Sequence, residues 1–249
     1  MKAILSLALV LSLASQPILL VSAEEVAPAA AEPTQLQISD SKNDHLREFI
    51  VDQWPSNGEL VLQGPLPSIL RATLAGTKKP IEFSFNRDAS KITLHVPGQS
   101  TGSPPARIQF LIAEETSVLA DGTVILSALD SEVVGQQAKL ESHPGSHRIG
   151  FWGNAADYVQ WEYRAPPGEY AAELVYSRAT PDGTVVEISI DDSVSTLELS
   201  HTGSWYRYRN VPIGDVELIG NAHTATVRVQ RIVNGGVMNL KAIILTPQP

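Results

Sequence analysis

Apolar and polar residues alternate along much of this chain with a period of two. Ile92, Leu94 and Val96 are interleaved with Thr93 and His95, and Val186, Ile188 and Ile190 with Glu187, Ser189 and Asp191. Val227 and Val229 flank Arg228 in the same way. Such alternation of β-branched residues predicts strands with one buried and one wet face. Asn57-Gly58, Asp121-Gly122, Asp182-Gly183 and Asn234-Gly235 each separate two apolar runs, as hairpin turns do. The stretch LREFIVDQWPSNGELVLQG (46–64) is expected to form one such hairpin: a strand reaching Trp54, a turn over Pro55 to Gly58, and a return through Glu59 to Gln63. No run of ten residues carries the i, i+3, i+4, i+7 stripe of an amphipathic helix. The pattern therefore predicts an all-β protein of two consecutive β-sandwich domains. The first covers 45–114, with five or so strands and a loose loop from Gly98 to Pro105. The second covers 122–249 and is long enough for a jelly roll of about eight to ten strands.

The N-terminus departs from this pattern. Lys2 is followed by the apolar run Ala3 to Ala14, a second apolar stretch Ile18 to Val21, and the small-residue exit Val21-Ser22-Ala23 before Glu24-Glu25. This is the layout of a secretory signal peptide over residues 1–23, with cleavage expected after Ala23. The expected location is thus extracellular or periplasmic, with no membrane attachment after cleavage. Residues 24–44 are rich in Ala, Pro and acidic side chains and are expected to be a flexible spacer. The chain has no cysteine and a net charge of -9. A domain of this size can dispense with disulfides, and the acidic surface argues against nucleic-acid and anionic-membrane partners.

Catalytic signals are weak. A glycosidase needs two carboxylates about 5–9.5 Å apart. Asp191-Asp192 reads as a turn, and Glu114-Glu115 falls at the domain junction. His143 and His147 lie close in HPGSH, but Pro144 and Gly145 preclude a regular helix there, so loop histidines are expected rather than a metal site. No catalytic residue, metal or cofactor is expected. The aromatics are more informative. In the strand Tyr158 to Arg164, Trp161 shares its face with Val159 and Tyr163 and is expected in the core. Trp152 precedes Gly153-Asn154 at a loop mouth, and Trp205 is expected on a strand face with Arg207 and Arg209. Exposed aromatic planes beside amides such as Asn239 suit sugar binding, because pyranose C–H faces stack on rings while hydroxyls seek polar groups. The alternative is that both Trp rings only cap the sandwich edge.

Two stretches resemble known families. ADYVQWEYRAPPGEYAAELVYS, TVVEISIDD, TGSWYRYRNVPIGDVELI and GGVMNLKAIILTP, in that order, resemble the galactose-binding-like jelly roll of carbohydrate-binding module families 6 and 35. LREFIVDQWPSNGELVLQGPLPSILRATLAG, KITLHVP and RIQFLIAEE resemble the β-sandwich that follows the catalytic barrel of family 29 α-L-fucosidases. The likeness implies the accessory part of such an enzyme without its barrel, and carries over no catalytic residue. It also implies a binding cleft lined by Phe151 or its neighbour Trp152, by Trp205 and by Asn239. Such modules often hold a structural calcium. Glu141 matches one ligand position, but Lys241 stands where the second carboxylate would be, which argues against the ion. The implied partner is a glycan; the alternatives are a scaffold docking on a separate glycoside hydrolase or cell-envelope component, and a hydrolase in its own right.

Overall fold

The computed structural model describes residues 34–35, 45–63, 68–77, 79–86, 90–96, 106–142 and 146–249. The expected signal peptide, most of the expected spacer, the Gly98–Pro105 loop and His143 lie outside them. Within the described residues the chain is all β, save one short 3₁₀ turn at Ala128–Asp130.

The first seven strands are β1 (Thr34–Gln35), β2 (Leu46–Val51), β3 (Glu59–Gln63), β4 (Ile69–Leu74), β5 (Pro80–Phe85), β6 (Lys91–His95) and β7 (Ala106–Ile112). β2 pairs with β7, β7 with β4, β4 with β5, β5 with β6 and β6 with β3, all antiparallel. β1 joins β3 in parallel. The alternating residues of β5 and β6 bury Ile81, Phe83, Phe85, Ile92 and Leu94 as their period demands. Each such side chain, fully buried, contributes about 1.5–3 kcal/mol.

The expected hairpin at 46–64 is not one. Gly58 N–H closes a turn on the Pro55 carbonyl at 3.0 Å. The strands on either side then diverge, β2 to β7 and β3 to β6. Phe49 and Val51 are buried in the chain's own core, and Trp54 packs half-buried against it.

The remaining strands are β8 (Ser117–Val118), β9 (Val124–Ser127), β10 (Glu132–Val134), β11 (Lys139–Glu141), β12 (Arg148–Gly150), β13 (Tyr158–Arg164), β14 (Gly168–Ser177), β15 (Thr184–Ile190), β16 (Ser193–Leu199), β17 (Arg207–Leu218), β18 (Ala222–Arg231) and β19 (Asn239–Pro247). One sheet runs β10-β13-β18-β15-β16. Facing it are β17, β14 and β19, extended through β12 to β11. From β13 onward the chain passes back and forth between these sheets, which is jelly-roll connectivity. Consequently Asp182-Gly183 and Asn234-Gly235 carry crossovers between sheets rather than hairpins, whereas Asp121-Gly122 does join the paired strands β8 and β9. Asp191-Asp192 forms the expected tight turn between β15 and β16, with Asp191 at φ 47.

β14 and β19 are buried on both faces. Leu174, Tyr176, Leu240 and Ile243 pack into one core with Val159 and Trp161, while Val175, Ala242 and Ile244 pack into the other with Phe83 and Phe110. The first residues of β17, Arg207 and Tyr208, pair with Ser84 and Phe83 of β5, so the sheet continues from one core to the other. A strand buried on both sides reads as a continuous apolar run, as Ala242 to Leu245 do. The register of β14 against β19 shifts where Val175 faces Ala242 and Tyr176 faces Leu240, leaving Lys241 as the extra residue of a bulge.

Candidate functional site

The residues singled out by sequence converge. Phe151, Trp152, Trp205 and Asn239 all line one cleft of about 360 Å³, at the end of the jelly roll where β11, β12 and β19 meet the loop before β17. Its size lies within the range of small-ligand sites.

The hairpin of β11 and β12 pairs Glu141 with Arg148 across its strands. The guanidinium grips the carboxylate at two points, Nε to Oε1 at 3.2 Å and Nη2 to Oε2 at 2.7 Å. Nη1 donates to Ser146 Oγ, and the guanidinium lies 5.3 Å from the centre of the Tyr206 ring. Glu141, Arg148 and Tyr206 all line the cleft. Glu141 enters the sequence argument only as a calcium position, and Arg148 and Tyr206 are not proposed there for the cleft; the readable signal is the Glu–Arg pair bracketing a short loop.

Immediately after β12 the backbone turns at Phe151, which sits at φ 54, a conformation uncommon for a bulky side chain. The turn throws its ring outward, 64% exposed. Lys139 Nζ stands 4.2 Å from the ring centre. Trp152 takes the opposite direction. It borders the cleft but is only 1% exposed, and its Nε1–H donates to the Asp157 carbonyl at 3.2 Å. The exposed plane expected of Trp152 is absent; the residue forms wall, and the accessible aromatic surface is that of Phe151, Trp205 and Tyr206.

Trp205 lies in the turn before β17 rather than on the expected strand face with Arg207 and Arg209, which both reach Glu82 instead. Its carbonyl accepts from Ser177 Oγ at 2.7 Å and from Asn239 Nδ2 at 2.8 Å. Its ring lies against Gly236, where a Cβ would come within 2.8 Å of Cη2, so only glycine permits this approach. Because a carbonyl can only accept, the contact with Trp205 identifies the Asn239 nitrogen and leaves its oxygen on the other side. That oxygen and Glu141 Oε1 both crowd the same point, 3.0 and 2.0 Å from where a Cβ on Gly150 would stand. Two of the cleft-lining residues thus hold acceptor oxygens close to each other.

Two buried polar residues hold the surrounding loops. Asp157 accepts from the backbone N–H groups of Gln136, Gln137 and Ala138, and from Asn154 Nδ2. Burial opposes its ionisation, but these donors outweigh it and hold the pKa below the usual carboxylate value. Arg178 spreads its guanidinium over the loop before β15 and the loop after β18, and Val237 N–H ties the second loop to the Trp152 carbonyl at 2.7 Å.

The residues do not fit calcium. Arg148 already neutralises Glu141, and Lys241 adds a second buried cation, 1% exposed. Among the described residues its Nζ has no hydrogen-bond partner, and it faces the rings of Phe85 and Tyr208 at 4.9 and 5.4 Å from their centres. Burial, then the nearby Arg148, push its pKa down to about 7. Among the described residues no cluster of three His, Asp or Glu side chains could hold a metal ion. His147 lies in the loop before β12 as expected, with Nδ1 3.1 Å from Ser142 Oγ.

No protein-family model and no curated protein matches the chain. Among solved structures it is similar to a family 35 carbohydrate-binding module from Clostridium thermocellum, at 20% identity over 51% of this chain and 98% of that one, with a TM-score of 0.43. It is also similar to a family 6 module of a Cellvibrio mixtus lichenase in complex with cellotriose, at 19% identity over 50% and 97%, TM-score 0.40. An isomalto-dextranase from Arthrobacter globiformis complexed with panose aligns at 14% identity over 81% of this chain and 34% of that one, TM-score 0.42.

Proposed function

We propose that this is a secreted, non-catalytic protein that binds glycans in the cleft between Phe151 and Trp205. The observation that carries the proposal is the convergence, in one cleft, of accessible aromatic surface with the polar side chains of Asn239 and Glu141. Sugars need both kinds of surface at once: a flat ring for the C–H face and polar atoms for the hydroxyls. The strained outward turn at Phe151 supports it, since exposed bulky side chains in unfavourable backbone conformations cluster at ligand sites. The sequence resemblance to accessory modules of glycoside hydrolases points the same way. Of the described residues lining the cleft, Glu141 is the sole carboxylate, and Arg148 holds it in a bidentate pair. Glycoside hydrolysis by two carboxylates has no second partner there.

The test is tryptophan fluorescence of the purified chain titrated with a panel of oligosaccharides, with Phe151→Ala and Trp205→Ala alongside. A saturable response that Phe151→Ala weakens at least about tenfold supports the proposal. Silence toward the whole panel overturns it. Turnover of an aryl-fucoside by the purified chain would overturn its non-catalytic half.

A further inference from the structure

Trp205 and Tyr206, which line the cleft, belong to the turn before β17, and two different parts of the fold hold that turn. The Trp205 carbonyl accepts from Ser177 of β14 and from Asn239 of β19, both jelly-roll strands. The next carbonyl, that of Tyr206, accepts from the Phe85 N–H at 3.0 Å, and Phe85 ends β5 in the first sandwich. The pairing of β17 with β14 begins at Tyr208. One residue earlier, Arg207 leaves the turn paired to Ser84 of β5. Tyr208 then stacks on Phe83 of the same strand, with ring centres 5.9 Å apart.

Side chains close this seam. Glu82 of β5 takes Arg207 on one carboxylate oxygen, from Nε at 2.9 Å and Nη2 at 2.8 Å. Its other oxygen takes Arg209 Nε at 2.7 Å. Residues two apart on a strand share a face at a spacing of about 6.5–7 Å, so without this carboxylate the two guanidinium groups repel each other. Arg207 is covalently next to Tyr206, and any shift of its backbone moves the cleft wall. Glu82, Arg207 and Arg209 are 28%, 36% and 33% exposed, so solvent screening keeps the effect modest.

We infer, on the basis of the glycan-binding function proposed above, that the first sandwich completes the cleft. Its strand β5 sets the position of the Trp205–Tyr206 wall, and Glu82 is the positioning residue. Glu82 does not line the cleft and acts through Arg207. The jelly roll supplies one of the two carbonyl anchors of the wall and the first sandwich the other, so the ligand site belongs to both.

Glu82→Gln keeps the shape of the side chain and removes its charge. Glu173→Gln is the matched control: Glu173 of β14 meets Arg71 of β4 at 2.9 Å, so it also joins the sandwiches, and neither residue lines the cleft. Two measurements on the full chain decide. Isothermal titration with cello-, xylo- and manno-oligosaccharides reads affinity, and hydrogen exchange of the Phe85 and Arg207 amides reads the wall without ligand. The expected result for Glu82→Gln is an affinity about 3–10-fold weaker and exchange at least about threefold faster, with Glu173→Gln within about twofold of the parent in both. Unchanged affinity or unchanged exchange in Glu82→Gln, or equal effects of the two variants, overturns the inference and leaves glycan binding intact. A parent that binds none of the oligosaccharides overturns the proposed function instead, and the exchange rates alone then decide whether β5 holds the wall.

Discussion

Replacing Arg178 by methionine keeps the length of the side chain and removes every donor it carries. In the native protein the residue is wholly buried, and its partners are nearly all backbone carbonyls. Nε donates to Thr180 O at 3.2 Å, Nη1 to Gly236 O at 2.9 Å and also to Val237 O, and Nη2 to Pro181 O, Thr184 Oγ1 and Val233 O at 2.8, 2.7 and 3.2 Å. Hydrogen bonds from a charged donor contribute about 1.5–3 kcal/mol each. Their simple total overstates the loss, because the substitution also relieves the desolvation of the guanidinium, which pulls its pKa below the ordinary arginine value. Water will also reach some of the freed carbonyls. The expected net loss is about 3–5 kcal/mol, the range for removing one member of a buried charged network. For a chain of this size that lowers the midpoint of thermal unfolding by about 10 °C. Arg178→Lys keeps the charge but has three donors in place of five, so it should lose about half as much. Thermal and urea unfolding, followed by circular dichroism, measure both. Because Gly236 packs on the Trp205 ring, the methionine variant should also change tryptophan emission and weaken ligand binding without touching the ligand. A methionine variant within about 2 °C of the parent, or a lysine variant equal to it, would refute this account.

Two further substitutions test the electrostatics. Asp157→Asn should cost about 2 kcal/mol at neutral pH, since an amide cannot accept as strongly from the three backbone N–H groups. With its folded pKa depressed, the native carboxylate stabilises above the unfolded value near 4 and loses that contribution as pH falls through the folded pKa. The gap between parent and variant in urea unfolding should therefore narrow as pH falls below the unfolded carboxylate value and through the depressed folded one. Lys241→Met should stabilise, by about 2–4 kcal/mol at pH 6, by removing a buried ammonium with no hydrogen-bond partner. The folded lysine titrates at about 7 against 10.5 for an ordinary lysine, so the native chain gains stability as pH rises between those values. The advantage of the methionine variant should shrink across that window, and an advantage constant from pH 6 to 10 would contradict the assignment.

Strand existence and facing were legible in the sequence because they depend on a local, two-residue period. Ile92 and Leu94, Val186 and Ile188, and Trp161 beside Val159 are buried as their alternation requires. The cleft residues could be proposed from aromatic and amide chemistry and from a family likeness, and the fold brings all four together. Pairing was not legible. An Asn-Gly or Asp-Gly turn reverses the backbone in the same way whether the next strand joins its neighbour, as at Gly122, or crosses to another sheet, as at Gly183 and Gly235. Phe151 and Trp152 are adjacent large aromatics, and one backbone angle sends Phe151 outward and leaves Trp152 buried. The bulge at Lys241 places a charged side chain inside the protein at a position where its sequence neighbours show only an apolar run. Arg178 looks like any strand-end arginine until the loops at 180–181 and 233–237 close over it. Local patterning determined the strands and which faces they bury. Long-range packing decided which charges are buried, which ring is free, and which residues meet in the cleft, because those depend on contacts between segments far apart in the chain.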